Sequence, residues 1–448
     1  MTALYYTLGV LIFIVAILAS IGLHELGHMI PAKKFGGKVT QYFIGFGPTV
    51  WSKHVGETEY GVKAIPLGGY VKIVGMLPPD AEHLAESVTV DADGNRVVKV
   101  RKSNTGMFTQ LISDARAAEW ELIRPEDGPR LFYRLPWWKK VVVMAGGPSV
   151  NILIAFFIFW GVFATVGNKA EETALPIAAQ VSDCVVPYAD SGRVCRPTDP
   201  PAPAKLAGIE PGDRFVAFNG VPVSSWQQFT DAIRANGDKP ATIGVLRGGR
   251  ALTLHATTRV ELRPTSLTDQ KLVAVGFLGV LPKGQAPTGG PLYTVDQMGH
   301  MTVGVVQALG TMPVKVFGVA KALVGIQPRD PNSPVSIVGG GRIAGQVASA
   351  QHFPLRDKIV DLLMLVAGFN FFIGMFNFVP LLPLDGGHIA GALWEGLRRG
   401  VARLRRRPDP GYVDVARLLP IAYVMASLFL VMGLVLILAD IFVPVHLA

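Results

Sequence analysis

Charge is scarce in this 448-residue chain: Asp, Glu, Lys and Arg make up 17% of it, while 50% is hydrophobic. Mean hydropathy is +0.38, too apolar for an ordinary soluble enzyme, whose charged share is about 25%. Cysteine is nearly missing, with Cys184 and Cys195 the only two. Lys and Arg are absent from the N-terminal stretch and from the tail beyond Asp440. The net charge of +9 is therefore not a general basic surface, and a nucleic-acid partner is not expected. A phosphate loop is also missing. Gly339–Gly345, GGGRIAG, has neither the glycine spacing nor a strand–helix–strand frame for one. Asp91–Asn95, DADGN, places its glycine too early for a calcium loop and lacks the closing glutamate, so it reads as a turn.

Long uncharged runs take the place of charge. Met1–Leu23, Val141–Val166, Leu362–Leu384 and Leu418–Ala439 each suffice for a helix across a hydrocarbon core of about 30 Å. The first lacks the basic start of a signal peptide and is expected to be a retained span. Basic residues crowd beside these runs: Lys33, Lys34 and Lys38; Arg134, Lys139 and Lys140; and the series Arg398 to Arg417. By the positive-inside rule these segments face the cytoplasm and both termini face out. The expected fold is a mostly α-helical polytopic membrane protein with four transmembrane helices. Met301–Ile326, which carries Lys315, Lys321 and Pro313, is expected as an amphipathic helix on the outer membrane surface.

The segment after the first run, VTQYFIGFGPTVWSKHVGETEYGVKAIPLGGYVKI, is rich in β-branched and aromatic residues broken by Gly and Pro. It is expected as a re-entrant β-hairpin, tolerated at membrane depth only where protein or a water-lined cavity shields it. Residues 80–136 form a polar cytoplasmic insertion. The outer region contains AGIEPGD (Ala207–Asp213), FNG (Phe218–Gly220), a helix at Trp226–Ala235 and a Gly248-Gly249 hairpin. It resembles a PDZ domain of envelope proteases, an α+β module that binds extended peptides at a sheet edge. The expected division is 1–79, first helix and hairpin; 80–136, insertion; 137–167, second helix; 168–285, extracytoplasmic PDZ domain; 286–360, amphipathic segment; 361–448, third and fourth helices.

The first run ends in IGLHELGHMI, residues 21–30. Ionisable groups at membrane depth are costly and mark function. His24 and His28 lie four apart on one helix face and can hold one ion. Glu25 beside them can act as general base on a water. A third ligand must come from elsewhere, and the third run ends in NFVPLLPLDGGH, Asn377–His388. Pro380 and Pro383 break the helix there. Asp385 is the favoured ligand, because His388 lies further toward the cytoplasmic end.

HELGH, LDGG, AGGPSVN (Ala145–Asn151) and the PDZ-like module together resemble the site-2 protease family of intramembrane zinc metalloproteases, in its RseP-like bacterial branch. The single PDZ module and the Ala/Gly/Arg-rich composition resemble actinobacterial members. The resemblance implies one zinc ion and cleavage of single-pass membrane proteins, such as anti-sigma factors, in or near their transmembrane segment. It also implies a preceding site-1 protease, a lipid environment in the bacterial plasma membrane, and a substrate-binding role for Asn377. The hairpin strand at Gly69, Tyr70 and Val71 is expected to hold the unwound substrate by edge pairing. Cys184 and Cys195, in the outer compartment, are expected to form a disulfide. Two rival classes are a membrane metal transporter and a PDZ-bearing membrane scaffold. The first would need more ligands along a path, and the second would not need a complete ligand set.

Overall fold

The computed structural model describes residues 2–78, 89–90, 96–97, 112, 123–190, 193–264, 271–350 and 354–445. The expected turn at residues 91–95 and most of the insertion lie outside them. The chain forms two compact units, Met1–Val162 with Gly290–Ala448, and Phe163–Gly289.

The first unit is helical. Helix α1, Thr2–Lys34, carries HELGH in its last third and continues unbroken past it. At about 1.5 Å per residue its 33 residues extend about 50 Å, longer than a bilayer core. Helix α2 is Trp137–Thr165. Near its start, Gly146 meets Gly27 of α1 so closely that a Cβ on either would strike the other's carbonyl. Only glycine permits that crossing.

Between these helices, β1 (Val39–Val55) and β2 (Thr58–Ile73) form the expected hairpin. Its register folds back on itself. The central stretch near Tyr42–Ile44 pairs on one side with Tyr60–Val62 and on the other with Gly69–Val71. The Gly69–Val71 stretch is thus the outer strand. It lies against α1, with Gly69 beside Ile21 and Glu25, and the Tyr42 hydroxyl donates to the Gly22 carbonyl at 2.8 Å. Met29, Val39, Ile73, Phe132, Val143 and Met144 fill a small core where the hairpin joins the two helices.

Among the described residues, five helices are long and apolar enough to cross a membrane. Four correspond to the expected spans: α1, α2, and the later helices Leu355–Asn377 and Leu419–Phe442. The fifth takes in the segment expected to lie on the surface. It runs as one helix, Pro291–Leu323, hereafter α4, well before Met301 and through Pro313. Pro291 occupies its first turn, where a missing N–H costs nothing. Its best window has a mean hydropathy of 1.5, against 2.1 to 2.7 for the others.

Helix α5, Ile337–Ser349, packs its glycine-rich face on α1. Phe13, Ile17 and Ala344 are buried with Phe369 of the next helix, α6 (Leu355–Asn377). The third uncharged run does not form a helix to its end. α6 stops at Asn377, residues 378–384 turn through a cis Leu382–Pro383 bond, and α7 starts anew at Asp385 and runs to Leu404. Pro380 and Pro383 lack the N–H donors a continuing helix needs, so absence of charge did not mark the helix end. α8, Leu419–Phe442, closes the unit. Its buried Asp440 is held by Arg329 at 2.7 Å and by the backbone N–H groups of Ser336 and Gly339 at 2.6 and 3.2 Å.

The second unit is an α+β module. Its sheet runs in the order Val280–Gln285, Thr173–Val181, Arg214–Phe218, Pro240–Arg247, Arg250–Thr257, all neighbours antiparallel. One helix, α3 in chain order, spans Trp226–Ala235, and the Ser225 side chain caps it by accepting from the Gln228 N–H. Phe229 of α3 stacks on Phe215 of the sheet at 4.0 Å between ring centroids, over Ile243 and Val245. Asn219 and the Gly248-Gly249 pair take positive φ at the turns where the sequence places them. A disulfide joins Cys184 to Cys195.

Candidate metal centre

The face of α1 that carries the two histidines is set by helix periodicity alone. His24 and His28 lie one turn apart, and their Nε2 atoms are 3.2 Å from each other. The start of α7 brings in Asp385, whose Oδ2 is 3.3 Å from each Nε2. His28 Nδ1 lies 2.8 Å from the Val143 carbonyl. A carbonyl can only accept, so Nδ1 carries the proton and Nε2 turns its lone pair to the centre. His24 Nδ1 is buried without a partner among the described residues.

Three electron-pair donors thus face one another with no lysine or arginine between them. Around a tetrahedral zinc with bonds of about 2.0–2.2 Å, ligand atoms stand about 3.3–3.5 Å apart. The triangle of 3.2, 3.3 and 3.3 Å fits that ion. Three protein ligands leave the fourth position for water, as catalytic zinc requires.

The centre opens into a cavity of about 500 Å³. Glu25, Gly69, Tyr70, Val71, Asn377 and His388 all line it, together with Ile21, Met144 and Pro383. All the expected site residues of the membrane unit therefore surround one space. His388 sits one turn beyond Asp385 on α7 and is not among the three clustered ligand atoms. The Glu25 carboxylate shares the wall with the outer hairpin strand, and a Cβ on Gly69 would come within 3.1 Å of its Cγ. Cys184 and Cys195 belong to the other unit.

Two residues of the site were not singled out by the sequence. A Cβ on Gly147 of α2 would strike His28 Nε2 and lie 2.8 Å from His24 Nε2, so this glycine leaves room for the centre. Asn151, one turn along α2, lines the same cavity. AGGPSVN was the available signal, although nothing in its spacing says which helix it faces.

Residues 12–409 match the model of Peptidase family M50. The chain belongs to Peptidase family M50. Relatives agree over nearly the whole length. Zinc metalloprotease Rip1 of Mycobacterium tuberculosis (strain H37Rv) is 32% identical over 454 residues, covering 99% of both chains. The regulator of sigma-W protease RasP of Bacillus subtilis is 25% identical, covering 87% of this chain and 90% of the relative. Metalloprotease MmpA of Caulobacter vibrioides is 24% identical, covering 87% and 86%. This M50 chain is a multi-pass membrane protein and a zinc metalloendopeptidase.

Proposed function

We propose that this M50 peptidase cleaves single-pass membrane proteins, anti-sigma factors among them, in or near the transmembrane segment. One observation carries this reading: a zinc-shaped ligand set, a neighbouring carboxylate and an outer hairpin strand share a single cavity within apolar helices. The Bacillus subtilis relative, named regulator of sigma-W protease RasP, supports the substrate class.

His24, His28 and Asp385 are the ligands of one zinc ion. When bound, zinc supplies Lewis-acid polarisation of the scissile carbonyl and lowers the pKa of a water. Glu25, next to the first ligand, takes the proton of that water and delivers it to the leaving amine nitrogen. A helical substrate hides its peptide groups in its own hydrogen bonds, so it must unwind before attack. The Gly69–Val71 edge offers main-chain groups to the unwound strand, and Asn377, at the end of α6, offers its side-chain amide.

The second unit acts as an extracytoplasmic PDZ domain. Its six-stranded antiparallel sheet and the capped helix α3 packed on it support that reading. In the plasma membrane both termini face out, α4 lies on the outer surface, and an earlier cut by a site-1 protease precedes this one. The partners are membrane substrates and lipid, and no nucleic acid.

The test is cleavage of a purified single-pass substrate in detergent or liposomes. Chelation should stop it and added zinc restore it. Glu25→Gln should retain zinc yet lose about 10²–10⁴ of the rate. Near-normal cleavage by Glu25→Gln sinks the assignment of the base. Reporters fused after Asn236 and near Arg405 should lie on opposite sides of the membrane.

A further inference from the structure

The glycines of AGGPSVN are explained by packing: Gly146 crosses α1 and Gly147 clears the histidines. Asn151, which ends the motif, is not. It is 2% exposed, and its Oδ1 is sealed from solvent with no hydrogen-bond partner among the described residues. An orphaned amide in an apolar helix is costly and calls for a partner absent from the folded chain. Asn370, another buried amide of this unit, also has an Oδ1 without a partner among the described residues, but its Nδ2 bonds Ser20 Oγ and the Val366 carbonyl at 3.0 and 2.9 Å, tying α6 to α1. Asn151 instead lines the cavity that holds the metal centre.

Position says what the partner is. Gly147 abuts both Nε2 atoms, and Asn151 lies four residues on, on the same helix face and about 6 Å further along α2. An extended strand advances about 3.3 Å per residue, so the amide stands about two residues from a bond lying over the centre. Gly374 of α6 packs on Pro148 and Ile152 of α2, which places the helix ending in Asn377 beside Asn151.

We propose that Asn151 hydrogen-bonds the main chain of the unwound substrate about two residues from the scissile bond, so that the two asparagines and the Gly69–Val71 edge hold the strand between them. This rests on the peptidase reading above. An amide offers both donor and acceptor, which matches either group of a peptide backbone without selecting a side chain.

Full-length protein in detergent, loaded with zinc, is tested with two hydroxamates. One carries a peptide backbone; the other, acetohydroxamate, binds metal with no peptide to hold. Asn151→Leu keeps the branched heavy-atom framework and removes the hydrogen bonds, and Asn151→Ala is a second variant should the bulkier leucine disturb folding. The expected result is about tenfold weaker binding of the peptidyl hydroxamate, with acetohydroxamate affinity and zinc content unchanged. A matching rise in KM with kcat largely kept should accompany it. Unchanged affinity for both compounds overturns the proposal. So does an equal loss for both, or loss of zinc, since either makes Asn151 a support of the centre. If unaltered protein binds neither compound, the peptidase reading itself fails, a distinct outcome.

Discussion

Two carboxylates of the helical unit, the buried Asp440 and the half-buried Asp385, are treated in opposite ways. Asp440 meets an arginine at 2.7 Å and two backbone N–H groups, so its charge and lone pairs are matched within the fold. Asp385 meets two imidazole nitrogens at 3.3 Å and, among the described residues, no lysine or arginine. The first arrangement closes a loop onto α8. The second is matched by no cationic side chain among the described residues, and a cavity opens beside it. A buried charge completed by its neighbours holds the fold, whereas one left incomplete at membrane depth marks where function enters.

The largest effect should come from Asp385→Asn. The shape is nearly kept, but the anionic ligand is lost. Partners one shell out from a zinc cost about 10–100-fold when removed, so loss of a ligand should exceed about 100-fold in cleavage and lower zinc content. Metal analysis and a cleavage assay check both, and full zinc with full activity would erase the contrast. Asp440→Asn should behave the other way, because it strands the Arg329 charge. Stability should fall by about 3–5 kcal/mol while bound zinc stays near wild type. Pairing Asp440→Leu with Arg329→Met should recover most of that loss, measured by thermal unfolding.

Smaller effects belong to the second unit, where carboxylates such as Asp199 and Asp213 are matched, like Asp440, by arginines of the fold. Cys195→Ser opens a closed loop of about 12 residues, which the chain-entropy model values at roughly 2–3 kcal/mol. Faster hydrogen exchange should be confined to residues 163–289. Asp199 is held well below the usual carboxylate range, first by the Arg193 guanidinium and then by the Arg196 N–H. Its folded pKa is the lower one, so its stabilisation is present above about pH 4 and fades as pH falls below that toward the folded pKa. Asp199→Asn should flatten this acid response in exchange measured at pH 6 and pH 3.

Some parts of the site could be read because they are local. HELGH places two imidazoles on one face through helix geometry, and in the second unit the helix expected at Trp226–Ala235 forms over those residues. Other limits were less legible. The run 362–384 carries no charge, yet the helix ends at Asn377, because two prolines rather than hydropathy decide the break. Likewise α4 extends from Pro291 through the exposed Pro313, although sequence rules treat an interior proline as a breaker.

The sequence by itself determined the apolar helices, the paired histidines with their adjacent glutamate, and the turn chemistry of the second unit. Each depends on residues a few positions apart, where backbone geometry leaves little choice. Only the tertiary structure decided which Asp385 oxygen faces the histidines, that Gly27 and Gly146 let two helices touch, and that Asn151 looks into the same cavity. Those facts depend on how helices far apart in the chain cross, and close packing, not local preference, sets that crossing.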